Sequence, residues 1–282
     1  QSDGMSGSDE STGPATGHYI IRGGAAGRDR LRVLSRVMRS STERFLGRVS
    51  LPAGSTCLDA GCGGGEVARM LAARTGLTGR VVGIDIDPVQ LDIVRAECEE
   101  ARLDNLELRL MDVDHLDEQG AYDLVYSRFV LSHLAEPLAA LAALVRAGRP
   151  GGTIAVEDVD FAGHFCHPEH SAFSRYCEIY EASATGRGVD PFIGRRLPAM
   201  FAAVGLLDIE VHVEQPAGFD PDVKAMAPLT MAAIGEAVVA AGVVTGDEVE
   251  RLVEQLWEFA EHPLSIMSLP RIVQVSGRVP SG

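Results

Sequence analysis

Cys57-Leu58-Asp59-Ala60-Gly61-Cys62-Gly63-Gly64-Gly65-Glu66 is an apolar run that ends in an acid and passes through glycines at 61, 63, 64 and 65 into the start of a helix. Glycine turns sharply and lets a ligand approach the backbone with no Cβ in the way. The helix that follows aims its first N–H groups back at the turn. About 20 residues after the last glycine, Val81-Val82-Gly83-Ile84-Asp85 ends a second apolar run in a carboxylate, the group that accepts hydrogen bonds from both hydroxyls of a ribose. Turn and distant acid together predict a bound nucleoside.

The glycine spacing bears on which nucleoside. A dinucleotide fingerprint reads G-x-G-x-x-G/A, whereas here Gly61-x-Gly63 is followed by Glu66 where the third small residue belongs. An acid at the helix start also opposes the pyrophosphate that the fingerprint serves to hold. NAD and FAD are therefore disfavoured. A zwitterionic amino-acid tail fits better, with Asp59 meeting an ammonium directly or through water while the glycine backbone cradles the rest.

Outward from this turn, strand and helix alternate. Ser55–Ala60, Arg80–Asp85, Leu106–Met111, Tyr122–Ser127 and Gly152–Glu157 read as strands, separated by helices at Glu66–Arg74, Pro88–Ala101 and Pro137–Leu144. Such alternation predicts a parallel sheet covered on both faces, an α/β doubly wound fold. Before it, Arg28 to Arg48 reads as a helix with Leu31, Leu34, Met38, Phe45 and Val49 inward and Arg28, Arg32 and Arg36 on another, solvated face. After Glu157 come a His-rich loop, a helix over Ala172 to Thr185, another from Asp190-Pro191 to about Val204, and a strand at Leu206–Gln215. Residues 220 to 261 are helical with a break expected at Gly246-Asp247, before a last strand at Ile272–Val279. The expected organisation is a disordered tail over 1–17, its Gln1–Gly4 an extraneous lead, then a helical segment over 18–50. The α/β core spans 51–216 and 264–282, and a helical insertion over 217–263 caps a ligand pocket.

Asp59-x-Gly61-x-Gly63-x-Gly65, Asp85 after the second strand, Met111-Asp112-Val113 after the third, Tyr122-Asp123-Leu124-Val125 on the fourth and Arg149-Pro150-Gly151-Gly152 before the fifth resemble the class I S-adenosylmethionine-dependent methyltransferases. The likeness covers about residues 50–160. It implies a Rossmann-like seven-stranded sheet with its last strands antiparallel, and S-adenosyl-L-methionine as cofactor. By that resemblance Asp85, with Ile86 beside it, holds the ribose, Asp112 and the Val113 backbone meet the adenine, and Ser127 and Arg128 line the methionine end. Tyr19 and Arg22, in Gly17-His18-Tyr19-Ile20-Ile21-Arg22, are expected to fold over the cofactor, Arg22 pairing its carboxylate and Tyr19 closing the site; a plain docking strand is the alternative.

Methyl transfer needs a placed nucleophile, and a general base only where the acceptor must lose a proton. His133 follows the fourth strand onto the carboxyl edge of the sheet, either as base or as pocket lining. The loop after the fifth strand offers His164 and His167 as further candidates for the base. With Cys166 and His170 they form an HxCHxxH string that matches no zinc spacing, so no metal is expected. Tyr176 and Tyr180 are candidates to face the acceptor, as are Arg195 and Arg196, which could equally pair surface acids. The segments around Met226, Met231 and Trp257 suit an apolar pocket wall.

The formal net charge of −15 opposes binding to polyanions, so nucleic acid is not an expected partner. Charge-free apolar runs such as Leu138 to Val145 fall short of the roughly 20 residues that cross a bilayer, so no membrane is expected. Five cysteines without a CxxC pair, and an N-terminus without a secretory pattern, predict reduced thiols and a cytoplasmic location. The expectation is a methyltransferase acting on oxygen, nitrogen or carbon of a small organic acceptor; a homodimer is admitted. Three rivals stay open: the same fold catalysing a non-methylating reaction such as a cyclisation, a non-catalytic cofactor-binding subunit, and an RNA or protein acceptor.

Overall fold

The computed structural model describes residues 24–281, with side chains from Gly27. The tail expected over 1–17, and Tyr19 and Arg22, lie outside the described residues. The chain begins with α1 (Gly24–Arg48) and runs through β1 (Thr56–Ala60), α2 (Glu66–Thr75), β2 (Arg80–Asp85), α3 (Pro88–Ala101), β3 (Leu106–Leu110) and β4 (Tyr122–Arg128) to α4 (Pro137–Ala147) and β5 (Gly148–Asp160). These strands join in the order β3-β2-β1-β4-β5, all parallel. The sheet is completed by β7 (Leu207–Glu214) and β10 (Arg271–Arg278), giving β3-β2-β1-β4-β5-β10-β7 with β10 antiparallel to both its neighbours. The seven-stranded α/β architecture is thus as the sequence predicts.

Alternation along each strand sends side chains to two opposite cores. Leu58, Ala60, Val82, Ile84 and Val125 pack with Leu141 and Leu144 of α4 and with Phe201 of α6 (Leu197–Ala203). Cys57, Val81, Leu124 and Tyr126 meet Phe45 and Leu46 of α1, Leu71 of α2 and Leu91 of α3. Helix starts follow their caps: Asp87 accepts the Val89 and Gln90 N–H groups ahead of Pro88, which needs no partner for a missing N–H.

A second, separate core belongs to the cap. Phe173 and Ile179 of α5 (Ser171–Gly186), Met231 and Ile234 of α7 (Pro221–Ala240), and Leu252 and Leu256 of α8 (Gly246–Glu261) pack together. The cap therefore draws on α5 as well as on the insertion over 217–263. A small sheet of β6 (Cys166–His167), β9 (Ile266–Ser268) and β8 (Ala217–Gly218) ties it to the main body. Helix α7 ends at Ala240, and Thr245 caps α8 by accepting the Glu248 N–H. The break thus falls before Gly246-Asp247, because Thr245 and Glu248 make a helix-starting pair and Gly246 is already inside the helix. Where a helix to Val204 was expected, Ile193–Arg196 forms a 3-10 turn before the shorter α6.

Helix α7 is 20 residues long and apolar enough to cross a membrane by length and composition, yet 61% of its apolar window is buried within the cap and against α1. Met38 of α1, Val223 and Met226 of α7 and Ile272 of β10 form the cluster that joins N-terminal helix, cap and sheet.

Candidate active site

The glycine turn sits at the carboxyl ends of β1 and β2, where the Ile84 carbonyl accepts the N–H groups of both Gly61 (2.8 Å) and Cys62 (2.9 Å). Gly61 has φ 75°, and a Cβ there would come to 2.2 Å from Cγ2 of Val130. Gly63 has φ 47° with open space where a Cβ would stand. One Oδ of Asp85 accepts the Gly63 N–H at 2.8 Å and the other the Asp87 N–H at 2.9 Å, so a single carboxylate locks the turn to the end of β2. Burial raises the pKa of Asp85, opposed by these N–H groups. Asp87, not Asp85, caps α3, which leaves Asp85 with lone pairs facing a cavity.

That cavity, about 1230 Å³, is continuous from the turn to the cap. At one end it is walled by Gly61, Gly63, Asp85, Ile86, Asp112 and Val113, all predicted cofactor contacts, and Arg128 also lines it. Asp112 begins a 3-10 turn by accepting the Asp114 N–H at 3.0 Å. Arg128 reaches Thr42 Oγ1 at 3.0 Å and Glu66 at 3.4 Å, so the acid that departs from the dinucleotide pattern is paired with a guanidinium.

Four predicted residues stand elsewhere. Asp59 is 2% exposed beneath the turn, one oxygen taking the Ala68 N–H in the first turn of α2 and Oδ2 left without a partner. Direct contact with a ligand ammonium is closed to it; it substitutes for the cap that glycine at 65 cannot supply. Ser127 turns away from the cavity and donates to the Ala60 carbonyl at 3.0 Å, because alternation along β4 puts Arg128 on the cavity side. His167 is exposed on β6, where pairing with β9 carries it off the cavity wall. Gly65 lies behind the wall too: it is the left-handed N-cap of α2, its Cβ position 2.4 Å from Val94.

Burial raises the Asp59 pKa to about 7, relieved in part by Arg128. A carboxyl whose folded pKa lies above its unfolded value near 3.8 contributes stability at low pH and loses it as pH rises toward 7. Unfolding measured from pH 4 to 8 should show wild type losing stability relative to Asp59→Asn across that window, by on the order of 3–4 kcal/mol. The comparison isolates Asp59 from His133 and His164, whose depressed values act in the opposite direction.

At its other end the cavity is apolar and aromatic. His133 lies on the 3-10 turn Leu131–His133, which Asp158 pins by accepting the Ser132 N–H at 3.1 Å. Burial, with Arg30 adding to it, lowers the His133 pKa to about 4. His164 holds the Phe161 carbonyl through Nδ1 at 3.2 Å and meets the rings of Phe161, Phe173 and Tyr176; burial lowers it to about 3. Tyr176 and Tyr180 line the cavity, the latter stacked on Phe161. Met226 lines it as well, whereas Met231 is core and Trp257 packs against the cap. Arg195 pairs with Asp160 and Arg196 with Asp190, both off the wall. His164, Cys166, His167 and His170 do not converge with any acid into a metal-ligating group among the described residues.

Sequence reasoning missed Arg30, Phe129 and Thr230, all on the wall. Phe129 holds φ 57° at the end of β4, a conformation that costs about 1–3 kcal/mol and concentrates at functional sites. The adjacency of Phe129 to the predicted Arg128 was the one signal available for it.

A doubly wound sheet with a glycine turn, a carboxylate at the end of the second strand and a cavity at the strands' carboxyl edge defines a nucleoside-binding α/β protein. Residues 57–152, about a third of the chain, match the family described as Methyltransferase domain, and the seven-stranded sheet is the Rossmann-like fold of such methyltransferases. The chain is similar to the S-adenosyl-L-methionine-dependent Diels-Alderase iccD of Talaromyces variabilis, 33% identical over 131 residues, 45% of this chain and 44% of that one. It is similar to the ubiquinone biosynthesis O-methyltransferase of Acinetobacter baylyi, 33% identical over 104 residues, 36% of this chain and 42% of the relative. The match thus spans less than half the length of either. The [4+2]-cyclase SpnF shares the fold, with TM-score 0.54 at 19% identity, over 86% of this chain and 82% of that one.

The residues present fit the family's cofactor. The Gly63 position is open to a ligand beside Gly61, and Asp85 and Asp112 offer acceptors at the cavity wall.

Proposed function

We propose that this protein binds S-adenosylmethionine at the glycine turn and transfers its methyl group to a small organic acceptor held under the cap. One observation carries the reading: a single cavity joins the nucleoside-binding turn to the aromatic lobe, so two ligands can share one space. The cofactor supplies an electrophilic methyl group. Asp85 would accept from the ribose hydroxyls and Asp112 from the adenine side, while Arg128, tied to Glu66 and Thr42, braces the turn. Tyr176, Tyr180, Phe161 and Met226 would orient the acceptor and keep water from it. A net charge of −15 supports a small acceptor over a polyanion, and five unpaired cysteines support a reducing, cytoplasmic setting.

Neither imidazole is poised as a base: pKa values of about 4 and about 3 leave both neutral and weakly basic at pH 7. Rate is therefore placed in proximity and orientation. His133→Asn is expected to lower kcat less than about tenfold, where loss of a general base costs roughly 10²–10⁴. A kcat profile flat from pH 6 to 8 in both proteins is the accompanying result.

The same weak bases favour a second reading, ring closure of a bound polyene, which moves no proton; both iccD and SpnF carry cyclase names. Acceptor panels incubated with labelled cofactor separate the two. Formation of S-adenosylhomocysteine in step with methylated product supports transfer. Substrate consumed without it supports cyclisation.

A further inference from the structure

Of the arginines on α1 from Arg28 to Arg44, five end on carboxylates: Arg28 and Arg32 on Glu97, Arg36 on Asp222, Arg39 on Glu43 and Arg44 on Glu214. Arg30 is the exception. It turns into the cavity wall, where its Nε donates to Thr230 Oγ1 at 3.0 Å, and among the described residues it makes no ion pair. Thr230 in turn hydrogen-bonds Tyr176, and the charge of Arg30 reaches both Tyr176 and His133. A guanidinium is thus held through its Nε by α7, and among the described residues no hydrogen bond or ion pair occupies its two terminal nitrogens.

Asp85, Asp87, Asp112, Asp114, Glu136 and Glu236 also line this cavity, but among the described residues none of them forms an ion pair with Arg30. Phe161, Met226, Leu269 and Ile272 are apolar. Glu236 lines the same cavity but lies six residues beyond Thr230 on α7, about 9 Å along the helix, and has interactions of its own. Asp85 is taken by backbone N–H groups and Glu66 by Arg128. A cation among apolar side chains is costly unless an anion meets it. The planar fork of a guanidinium matches a carboxylate, and its attraction for any oxyanion strengthens as water is excluded.

We propose that Arg30 anchors an anionic oxygen of the acceptor, so that the substrate class is an acidic small molecule with an apolar body: a carboxylic acid, or an ionised enol or phenol. This rests on the shared cavity being the acceptor site. It accounts for the weak bases nearby, because an acceptor that arrives ionised needs no proton removed.

The test is calorimetry on the full chain in the presence of S-adenosylhomocysteine, with two matched pairs of probes. 2-Naphthoate against 2-naphthamide reads carboxylate recognition; 4-hydroxycoumarin, ionised at neutral pH, against 4-methoxycoumarin reads enolate recognition. At least one anion is expected to bind tenfold or more tightly than its neutral partner. Arg30→Gln should reduce that preference to twofold or less while the neutral probe and S-adenosylhomocysteine bind as before. Thr230→Val, close in shape, should cut the preference severalfold by releasing the guanidinium. No preference in either pair, no binding of any probe, or a preference that survives Arg30→Gln overturns the assignment. Failure of wild type to bind S-adenosylhomocysteine, titrated separately, would instead remove the cofactor reading beneath it.

Discussion

Replacing Asp85 by alanine should weaken S-adenosylhomocysteine binding by roughly 100-fold, because two hydrogen bonds to a charged acceptor are worth about 1.5 kcal/mol each at the low end. The same change removes the acceptor for the Gly63 and Asp87 N–H groups, so the turn loosens as well. Asp85→Asn is the milder change. It keeps nearly the same shape and one acceptor oxygen but sets an NH2 against one of the two N–H groups, so its thermal midpoint should fall less than that of Asp85→Ala while affinity still falls tenfold or more. Calorimetry beside thermal unfolding reads both. Equal affinity in Asp85→Asn and wild type would mean that the carboxylate serves the turn alone.

Gly61→Val should be the most damaging single change near the site. Its Cβ would stand 2.2 Å from Val130 Cγ2, at a φ of 75° that side chains rarely adopt. Strain and overpacking together cost about 4 kcal/mol, a large part of the stability of a typical domain. Gly63→Ala is the contrasting case. Open space surrounds that position, so only the φ of 47° is strained, at about 1 kcal/mol. Its added methyl group should lower cofactor affinity through the cradle instead of unfolding the chain. Chemical denaturation of both variants, followed by titration of whichever stays folded, checks the pair.

The fold was legible because its signals are local. Each strand of the first half is a short apolar run, each helix opens at a cap or proline, and the turn announces itself in four glycines. The nucleoside end of the site inherits that legibility, since Asp85 and Asp112 sit at strand ends whose geometry the alternation dictates. Of the two contacts expected for Asp59, the direct one is excluded because a carboxylate beside a glycine turn can also point down under the next helix, and the empty cap position at Gly65 draws it there. Ser127 was misread through a single step of strand alternation. The acceptor end was hardest to see. Arg30 shares its helix with arginines that face acids, and only the docking of α7, some 200 residues later, turns this one inward. His167 shows the converse: a chemically suggestive string in a loop, pulled onto an exposed edge by pairing with a strand near the far end of the chain.

The strand order β5-β10-β7 has a consequence for how the chain is made. The strand β10, last in order among the described residues, lies inside the sheet, and β7 has no neighbour in it until β10 arrives. Helix α1 waits too, since Ser41 bonds Gln274 at 3.0 Å across 233 residues, and Gln274 holds the buried Glu157 at 2.8 Å. Helix α1 and strand β10 therefore complete this contact with β5 only once β10 has been made. Until then the edge of β5 lacks its neighbour, a long-range pairing that slows folding and leaves the strand open to wrong pairings.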